Sequence, residues 1–268
     1  MTATIVLDHV GVVGHDLDAM AVLYERLGFT LTPRVPTAGG RIVNRCAMLR
    51  QGYLELMALA PGGASATLEQ FLARHEGAHI IALSVDDLAA TSIRLRHAGY
   101  DSPGVEQSER PVDAVRGGPL ARFAHLAIPE QPEARIALIQ HMSPELLWQP
   151  HLLTHQNHAI ALDDVTLAVA APMVTAERFS RLSGCAVVPD PAGGFALDLL
   201  RGKIRLLPPD ASPALTIPAI VSVTLRTDDS NAAIARIMQQ VSLAHRIDRN
   251  RLTVLPEAAG GLALHFRA

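Results

Sequence analysis

The fold is decided by a short stretch near the amino terminus, Leu7-Asp8-His9-Val10-Gly11-Val12-Val13. Its valine-rich pattern predicts a strand. Asp16 then offers a helix N-cap, and Gly28 offers a residue that ends a helix in the left-handed conformation. The sequence therefore predicts a helix at residues 19–27, directly after the strand.

Three further strands complete this first unit. They are predicted at residues 29–32, 43–49 and 53–59, and Gly52 supplies the tight turn that joins the last two strands into a hairpin. The resulting order is strand, helix, strand, strand, strand. This order defines a βαβββ module.

The same order returns three more times along the chain, which predicts an α+β fold of four βαβββ modules. In each copy a strand is followed by a helix that ends near a glycine, and the copy closes with a pair of strands. The opening strands are predicted at 79–85, 165–170 and 220–226, the helices at 87–98, 175–182 and 230–241, and the strand pairs at 120–128 with 135–141, 195–200 with 203–207, and 251–255 with 262–266.

A proline-containing segment separates the second module from the third. Residues 143–157 carry two prolines, polar turn formers and Trp148, the only tryptophan. We therefore predict two domains, residues 1–142 and 158–268, joined by a linker at 143–157. Each domain would contain two modules.

Composition excludes several classes of function. The 268-residue chain is 49% hydrophobic and carries a net charge of -3 without a basic run, so nucleic acid is not an expected partner. No apolar run approaches the roughly 20 residues of a membrane span. The start of the chain lacks a signal-peptide pattern and Cys46 and Cys185 lack a partner motif, so we expect a reduced, cytoplasmic protein. No Gly-x-Gly-x-x-Gly turn opens a helix, and a nucleotide cofactor is not expected. The sequence does not decide whether the protein is a monomer or a homodimer.

The first module resembles a known family. Its opening comprises residues 7–12, Asp16-Leu17, Tyr24 and residues 27–29, and its closing hairpin comprises residues 44–49 and 52–56. Both resemble the vicinal-oxygen-chelate superfamily, the glyoxalase, bleomycin-resistance and extradiol-dioxygenase type. Residues 82–86 resemble the start of that family's second module. The resemblance implies two glyoxalase-like domains with curved mixed sheets, each closed around a cavity. It also implies a divalent metal in many members, among them isomerases, lyases and dioxygenases, and drug binding without chemistry in others.

The resemblance places metal ligands on the first and last strands of paired modules. In module one these positions hold His9 and Glu55, residue types that suit zinc, nickel, manganese or iron. Strand alternation also turns both side chains toward the cavity, opposite the valines and leucines that pack on helices.

The second module departs from this pattern. Ile80 and Ala137 occupy the matching positions, and alternation turns His79 toward the helix unless a bulge reverses it. His141 shares the face of Ala137, so we expect it to be the third ligand beside His9 and Glu55, with His79 the weaker candidate. The competing interpretation is a hydrogen-bonded His9–Glu55 pair without a metal.

The second half lacks the expected ligands. Asp164, Ser222 and Ala263 stand at the matching positions, with His265 two residues further. We therefore expect no metal there, and ring cleavage is disfavoured because dioxygenases of this type need two histidines and a glutamate in that half.

Other candidates concern substrate binding. Arg45 and Arg122 occupy matching strands and would hold a carboxylate or phosphate, unless they pair with surface acids. Tyr53 would face the cavity, and Trp148 would either cover a ligand or pack the linker. His151, His155 and His158 have helical spacing but lie in the predicted linker, so we expect a surface loop.

The sequence is compatible with more than one class of function. The leading hypothesis is isomerase or lyase chemistry on a small oxygen-rich molecule, in which a metal stabilises an enolate or alkoxide and Glu55 moves the proton. The alternative is a metal-free protein that binds or sequesters a small molecule. A third option is a scaffold whose cavity is filled by side chains.

Overall fold

The structure, a computed structural model, describes residues 5–37, 39–100, 104–113, 115–129, 131–211, 216–248 and 251–268. Within these ranges each half of the chain forms one eight-stranded mixed sheet. The first half contains β1 (Ile5–Val13), α1 (Leu17–Arg26), β2 (Val35–Pro36), β3 (Ile42–Met48), β4 (Tyr53–Leu59), α2 (Ala66–Arg74), β5 (Gly77–Val85), α3 (Leu88–His97), β6 (Val105–Pro111), β7 (Leu120–Ala127) and β8 (Arg135–His141).

The second half repeats this plan after two short 3-10 helices at Pro144–Leu146 and Pro150–Leu152. No helix within the described ranges is both long enough and apolar enough to cross a bilayer. The elements are β9 (Ala159–Ala168), α4 (Pro172–Ser183), β10 (Val187–Pro189), β11 (Phe195–Asp198), β12 (Lys203–Leu207), β13 (Ala219–Thr227), α5 (Asn231–Gln240), β14 (His245–Asp248), β15 (Arg251–Val254) and β16 (Ala263–Arg267).

The first sheet curls until its two edges meet. Its strand order is β2-β3-β4-β1-β5-β8-β7-β6, with β1 parallel to β4 and antiparallel to β5. The edge strands β2 and β6 contact each other, so the sheet is nearly a barrel. The second sheet has the equivalent order, β10-β11-β12-β9-β13-β16-β15-β14. Four repeated modules in two curved sheets therefore form the α+β architecture that the repeats predict.

Two bulges interrupt the central strand pair of the first sheet. On β1, Leu7 pairs with Leu83 and His9 with Ala82, so Asp8 is an extra residue. On β5, Ala78 and Ile80 have partners on β1, so His79 is the extra residue. A bulge breaks the alternation of side chains and redirects the inserted residue.

Helices cover the convex face of each sheet. Asp16 caps α1 by accepting hydrogen bonds from the backbone of Asp18 and Ala19, and Gly28 follows the helix with a φ of 85°. The apolar face of α1, with Tyr24 fully buried, packs on the valines and leucines of β1 and β4. These contacts fix which face of β1 is turned inward.

The concave face of the first sheet is filled from two directions. Helix α2 packs Leu68 and Phe71 on Val13, Met57 and Ile80. At the other side, Leu147 and Leu152 of the linker pack on a second group on the sheet, Cys46, Met48, Tyr53 and Phe123. A polar cluster lies between these two apolar groups.

The two halves join through an exchange of hairpin turns. The backbone N–H of Leu7 on β1 donates to Arg201 in the turn of the third module at 2.8 Å, and that of Leu162 on β9 donates to Gln51 in the turn of the first at 2.9 Å. Gly52 adopts a φ of 77° in its turn, where a Cβ atom would lie 2.8 Å from the carbonyl oxygen of Asp8. The glycine is thus required both by its backbone conformation and by the close approach of β1.

Three local expectations are corrected. Residues 29–32 do not form a strand, because the backbone N–H groups of Thr30 and Thr32 donate to the His155 ring and to the Cys46 carbonyl. The short edge strand of module one is β2 instead. Helix α2 and the strands β6, β10 and β14 were not predicted. Strand β9 begins six residues before the predicted residue 165, where it meets the turn at Gln51.

Candidate functional site

His9 and Glu55 lie on neighbouring strands inside the first sheet. Their Nε2 and Oε2 atoms are 3.4 Å apart, the His9 side chain is buried, and the Glu55 side chain is 13% exposed. The parallel register of β1 and β4, which pairs Gly11 with Glu55, brings the two side chains onto one face. Tyr53 stacks on the His9 ring, with the ring centroids 4.4 Å apart.

Asp8 joins His9 to a third residue, His141. One carboxylate oxygen of Asp8 is 2.8 Å from His9 Nδ1, and the other is 2.9 Å from His141 Nε2. Strand alternation would place Asp8 on the opposite face from His9, but the bulge turns both toward the same side. Asp8 is therefore not predictable from strand alternation.

Asn44 and Arg110 continue the cluster on the other side of Glu55. The amide of Asn44 donates to Glu55 Oε1 at 2.5 Å, and Arg110 Nη1 lies 3.5 Å from Asn44 Oδ1. Arg110 reaches across from the edge strand β6, with its guanidinium 5.5 Å from the ring centre of Phe123. The sequence offered no signal for Arg110, because β6 reads as a polar strand without a buried face.

The charges in this cluster stabilise one another. Burial by itself would raise the pKa of Asp8, but hydrogen bonds from His141 and His9 lower it well below its usual range. Burial would lower the pKa of His9, but hydrogen bonds to Asp8 and Glu55 raise it to about 9. Burial would raise the pKa of Glu55, which His9 lowers instead. At neutral pH the cluster therefore contains two carboxylates and an imidazolium between them.

These residues do not fit a bound divalent metal. Ile80, which pairs with Gly11, and Ala137, beside Ala82, take the two family ligand positions of module two and offer no donor atom. Both nitrogens of His9 already face carboxylates. Within the described ranges, no three His, Cys, Asp or Glu side chains are arranged to hold a metal ion. The donor set is thus that of a hydrogen-bonded network rather than of a metal centre.

His79 lies on the side of the concave face that helix α2 covers. The bulge on β5 places its ring against Phe71 of α2, with centroids 4.8 Å apart, and its Nε2 donates to the carbonyl of His75 at 2.9 Å. Its contacts therefore belong to α2 and not to the cluster around His9. His141, by contrast, reaches that cluster, although through Asp8 rather than as a ligand beside Glu55.

The two arginines expected at the cavity point elsewhere. Arg45 lies against α1, where its Nη1 is 3.0 Å from Glu25 and its Nε donates to Thr32. Arg122 is exposed and pairs across the strands with Glu109. Both follow the strand parity that points away from Tyr53 and Phe123. A pair of guanidiniums at the cavity rim is therefore corrected to two outward-facing side chains.

Trp148 and His155 fix the linker to the first domain. The indole N–H of Trp148 donates to Leu49 at 3.0 Å, and its ring stands edge-on to His141, with centroids 4.9 Å apart. His155 is buried, accepts from the N–H of Thr30 and lies 2.8 Å from the Met48 carbonyl. The expectation of a surface loop is thus corrected for His155, which holds the linker in place.

A cleft of about 460 Å³ opens between the two domains beside this cluster. Asp8, His141 and Trp148 form part of its wall, so it reaches one end of the buried network. Its charged and polar lining from both domains includes Arg50, Gln51, Ser84, Asp86, Gln140 and Arg201.

The second domain has the opposite charges at the matching positions. Asp164 stands at the place of His9, and Arg205, which pairs with Thr166, stands at the place of Glu55. His265 pairs with Thr224 and matches Ala137, whereas Ala263 pairs with Ser222. The position expected to be filled by Ala263 is therefore filled by His265.

Sequence comparison assigns a family. Residues 7–183, more than half of the chain, match the family model described as a glyoxalase-like domain. The chain belongs to the glyoxalase-like domain family. This membership confirms the vicinal-oxygen-chelate resemblance carried by residues 7–12 and 52–56. No curated protein shows significant sequence similarity to the chain.

Solved structures share the fold of this glyoxalase-like protein at low sequence identity. A hypothetical protein from Staphylococcus aureus superposes with a TM-score of 0.73 at 13% identity, over 98% of this chain and 99% of the other. A mutant of 4-hydroxymandelate synthase from Streptomyces coelicolor gives 0.66 at 13%, over 99% and 92%. The Mn(II)-bound glyoxalase from Novosphingobium aromaticivorans gives 0.60 at 13%, over 99% and 82%. These likenesses establish the fold, and they do not identify a reaction or a substrate for this chain.

Proposed function

We propose that this glyoxalase-like protein binds a small oxygen-rich molecule in the cleft between its domains, without a resident metal, and that His141 exchanges a proton with it. One observation carries the proposal. Asp8 and His141 form part of the wall of the cleft and are also joined to the buried charges of His9 and Glu55. A cleft with converging polar groups beside a buried charged network is the usual setting of a binding site.

The hydrogen bonding of His141 supports its role as a proton acceptor. Asp8 is ionised, so the His141 nitrogen next to it, Nε2, donates the hydrogen. In the neutral ring the lone pair then lies on Nδ1, which is buried and has no hydrogen-bond partner among the described residues. A buried nitrogen in that state costs free energy that a ligand hydroxyl would recover.

The chemistry proposed here needs only this chain's residues. Once the bound molecule displaces the side chains that cover Nδ1 of His141, its hydroxyl or acidic C–H gives a proton to this nitrogen, and Asp8 stabilises the imidazolium that forms. Arg50 and Arg201, both exposed in the cleft wall, stabilise the negative charge left on the oxygen. Glu55 faces His9 and Asn44 instead of the cleft, so the role expected for Glu55 passes to His141.

A metal-assisted reaction is the second candidate. It is favoured by the imidazole and carboxylate of His9 and Glu55 and by the likeness to a Mn(II)-bound glyoxalase. It is opposed by Ile80 and Ala137 at the remaining ligand positions.

The proposal is tested by tryptophan fluorescence, because Trp148 is the only tryptophan and part of the cleft wall. Small 2-oxo and 2-hydroxy carboxylates, titrated one by one into metal-free protein, are expected to change the emission saturably. Arg201→Gln should weaken binding about tenfold, as expected for loss of one charge-assisted hydrogen bond. Arg41→Gln, an exposed arginine outside the cleft lining, is the matched control.

Two outcomes would contradict the proposal. One is binding that requires added Mn²⁺ or Zn²⁺ and disappears in Glu55→Gln, which would favour the metal-assisted candidate. The other is a saturable signal that Arg201→Gln and Arg41→Gln affect equally, which would place the ligand outside the cleft.

A further inference from the structure

The concave side of the second domain contains a cavity of its own. Its volume is about 440 Å³, and its lining includes Thr166, Arg205, Ser222, Arg251 and His265. Thr166 and Ser222 are buried, so the floor of this cavity is polar and belongs to the sheet itself. Nothing in the proposed chemistry of the first domain uses these residues.

The matched positions of the two domains indicate the charge of the ligand that the cavity attracts. In the first domain the last strand of the opening module presents the carboxylate of Glu55 toward His9. In the second domain the same register presents the guanidinium of Arg205 toward Asp164. A guanidinium repels a metal cation and attracts an oxyanion.

Arg205 is held in place by a forked ion pair. Its Nε and Nη2 atoms donate to the two carboxylate oxygens of Asp190 at 2.8 and 2.7 Å, and the Asp190 side chain is 2% exposed. The third nitrogen, Nη1, has no hydrogen-bond partner in the part of the chain that the structure describes. A guanidinium fixed on one edge presents its remaining N–H groups at little further entropic cost.

Other donors converge on the same space. His265 Nδ1 lies 2.8 Å from the hydroxyl of Thr253, which leaves Nε2 for the cavity. Burial, followed by the charges of Arg251 and Arg205, lowers the pKa of His265 to about 4. The imidazole is therefore neutral at pH 7 and lies in a positive field. Asp210 also faces the cavity, but it is exposed to solvent, which screens its charge.

We propose that this cavity binds a small molecule through a carboxylate or phosphate group, held by Arg205, Arg251 and the hydroxyl of Ser222. The site is separate from the cleft between the domains and does not depend on the function proposed for that cleft. It gives the second domain a binding role of its own.

The test follows the ring signals of His265 by NMR at pH 7 and constant ionic strength. Inorganic phosphate and malonate serve as the two oxyanion probes, and chloride serves as the nonspecific reference. Saturable shifts are expected with phosphate, malonate or both, and the pKa of His265 should rise on binding because an anion favours the imidazolium. Whichever probe binds more tightly tells which oxyanion the cavity prefers.

Matched variants locate the site. Arg251→Gln should weaken binding about tenfold and Ser222→Ala about threefold, sizes typical of a charge-assisted and a neutral hydrogen bond. Arg251 is exposed, so its loss should leave the unfolding midpoint near that of the parent protein. Arg236→Gln removes an equal charge from the exposed face of α5 and should leave the affinity unchanged.

The proposal is overturned if neither probe shifts His265 saturably at tens of millimolar concentration. It is also overturned if chloride acts equally, or if Arg236→Gln weakens binding as much as Arg251→Gln does. In the last two cases the protein would attract anions only through its general field.

Discussion

The imidazole of His141 and the carboxylate of Asp8, 133 residues apart in the chain, meet at 2.9 Å in the wall of the cleft. Through the other oxygen of Asp8 this contact extends to His9, and from there to Glu55. A glyoxalase-like sheet thus has at its centre a chain of alternating carboxylates and imidazoles. The stability of the fold depends on the charge state of that chain, and so does the chemistry that we propose for the cleft.

Replacing Asp8 by Asn should destabilise the protein strongly. His9 and His141 would lose the carboxylate between them, and breaking a buried ion pair typically costs about 3–5 kcal/mol. The free energy of unfolding in urea measures the loss. Asp163→Asn is the control, because Asp163 precedes Asp164 as Asp8 precedes His9 and pairs with the exposed Arg267; its loss should stay below about 1 kcal/mol. Equal, small losses in both variants would show that Asp8 is not an ionised, paired group.

The stability of the protein should fall as the pH rises from 6.5 to 9. The pKa of His9 is raised from 6.5 to about 9 in the folded state, so its contribution is complete below pH 6.5 and is lost as pH passes 9. The loss is on the order of 3 kcal/mol from this group. The lowered pKa of Asp8 acts on the acid side, where stability is lost as pH falls below its ordinary value.

Urea unfolding between pH 4 and 10 checks this profile. His9→Gln should flatten the alkaline slope, whereas His151→Gln, at an exposed position in the linker, should retain it. An alkaline slope of unchanged size in His9→Gln would assign the titration to another group.

Glu55→Gln should not change the metal content of the purified protein. With Ile80 and Ala137 at the other family positions, we expect far less than one transition metal per chain in both the parent and the variant. The variant should lose about 1–3 kcal/mol of stability, because His9 then faces an uncharged partner. Elemental analysis by mass spectrometry measures the metal. One equivalent of zinc, nickel, manganese or iron that disappears in Glu55→Gln would refute the expectation.

Gly52→Ala should cost more stability than Gly62→Ala, although both glycines have a positive φ. Gly62 has open space around its Cβ position, so the variant carries only the backbone strain of about 1 kcal/mol. At Gly52 the added carbon would meet the carbonyl of Asp8 at 2.8 Å and Leu162 of the other domain. Thermal unfolding of the two variants separates strain from contact. Similar losses in both would show that the turn moves freely away from β1.

The modules were predictable because their signals are local. Asp16 and Gly28 mark the ends of a helix, and Gly52 and Gly202 mark hairpin turns whose φ values require glycine. The His9–Glu55 contact was likewise predictable from strand parity. Helix α2 carried a signal that was overlooked: Ser65 caps it, and the apolar residues Leu68, Phe71 and Leu72 follow at helical spacing.

The remaining site residues were not predictable from alternation. The bulges at Asp8 and His79 break the two-residue period, and a bulge depends on the partner strand, which the local sequence does not contain. Arg110 enters the cluster only because the sheet curls until β6 meets β2. Arg45 and Arg122 have the right residue type on the right strands, but they are shifted by one residue and point outward.

The exchange of turns between the halves has the symmetry of a twofold homodimer interface, where each partner gives what it receives. In a true homodimer every substitution appears twice, so both copies must keep the same side chains. Within one polypeptide that constraint disappears. Glu55 and Arg205 therefore carry opposite charges at matching positions while the contact that joins the two halves is the same on both sides, and the repeated unit has two chemically distinct cavities.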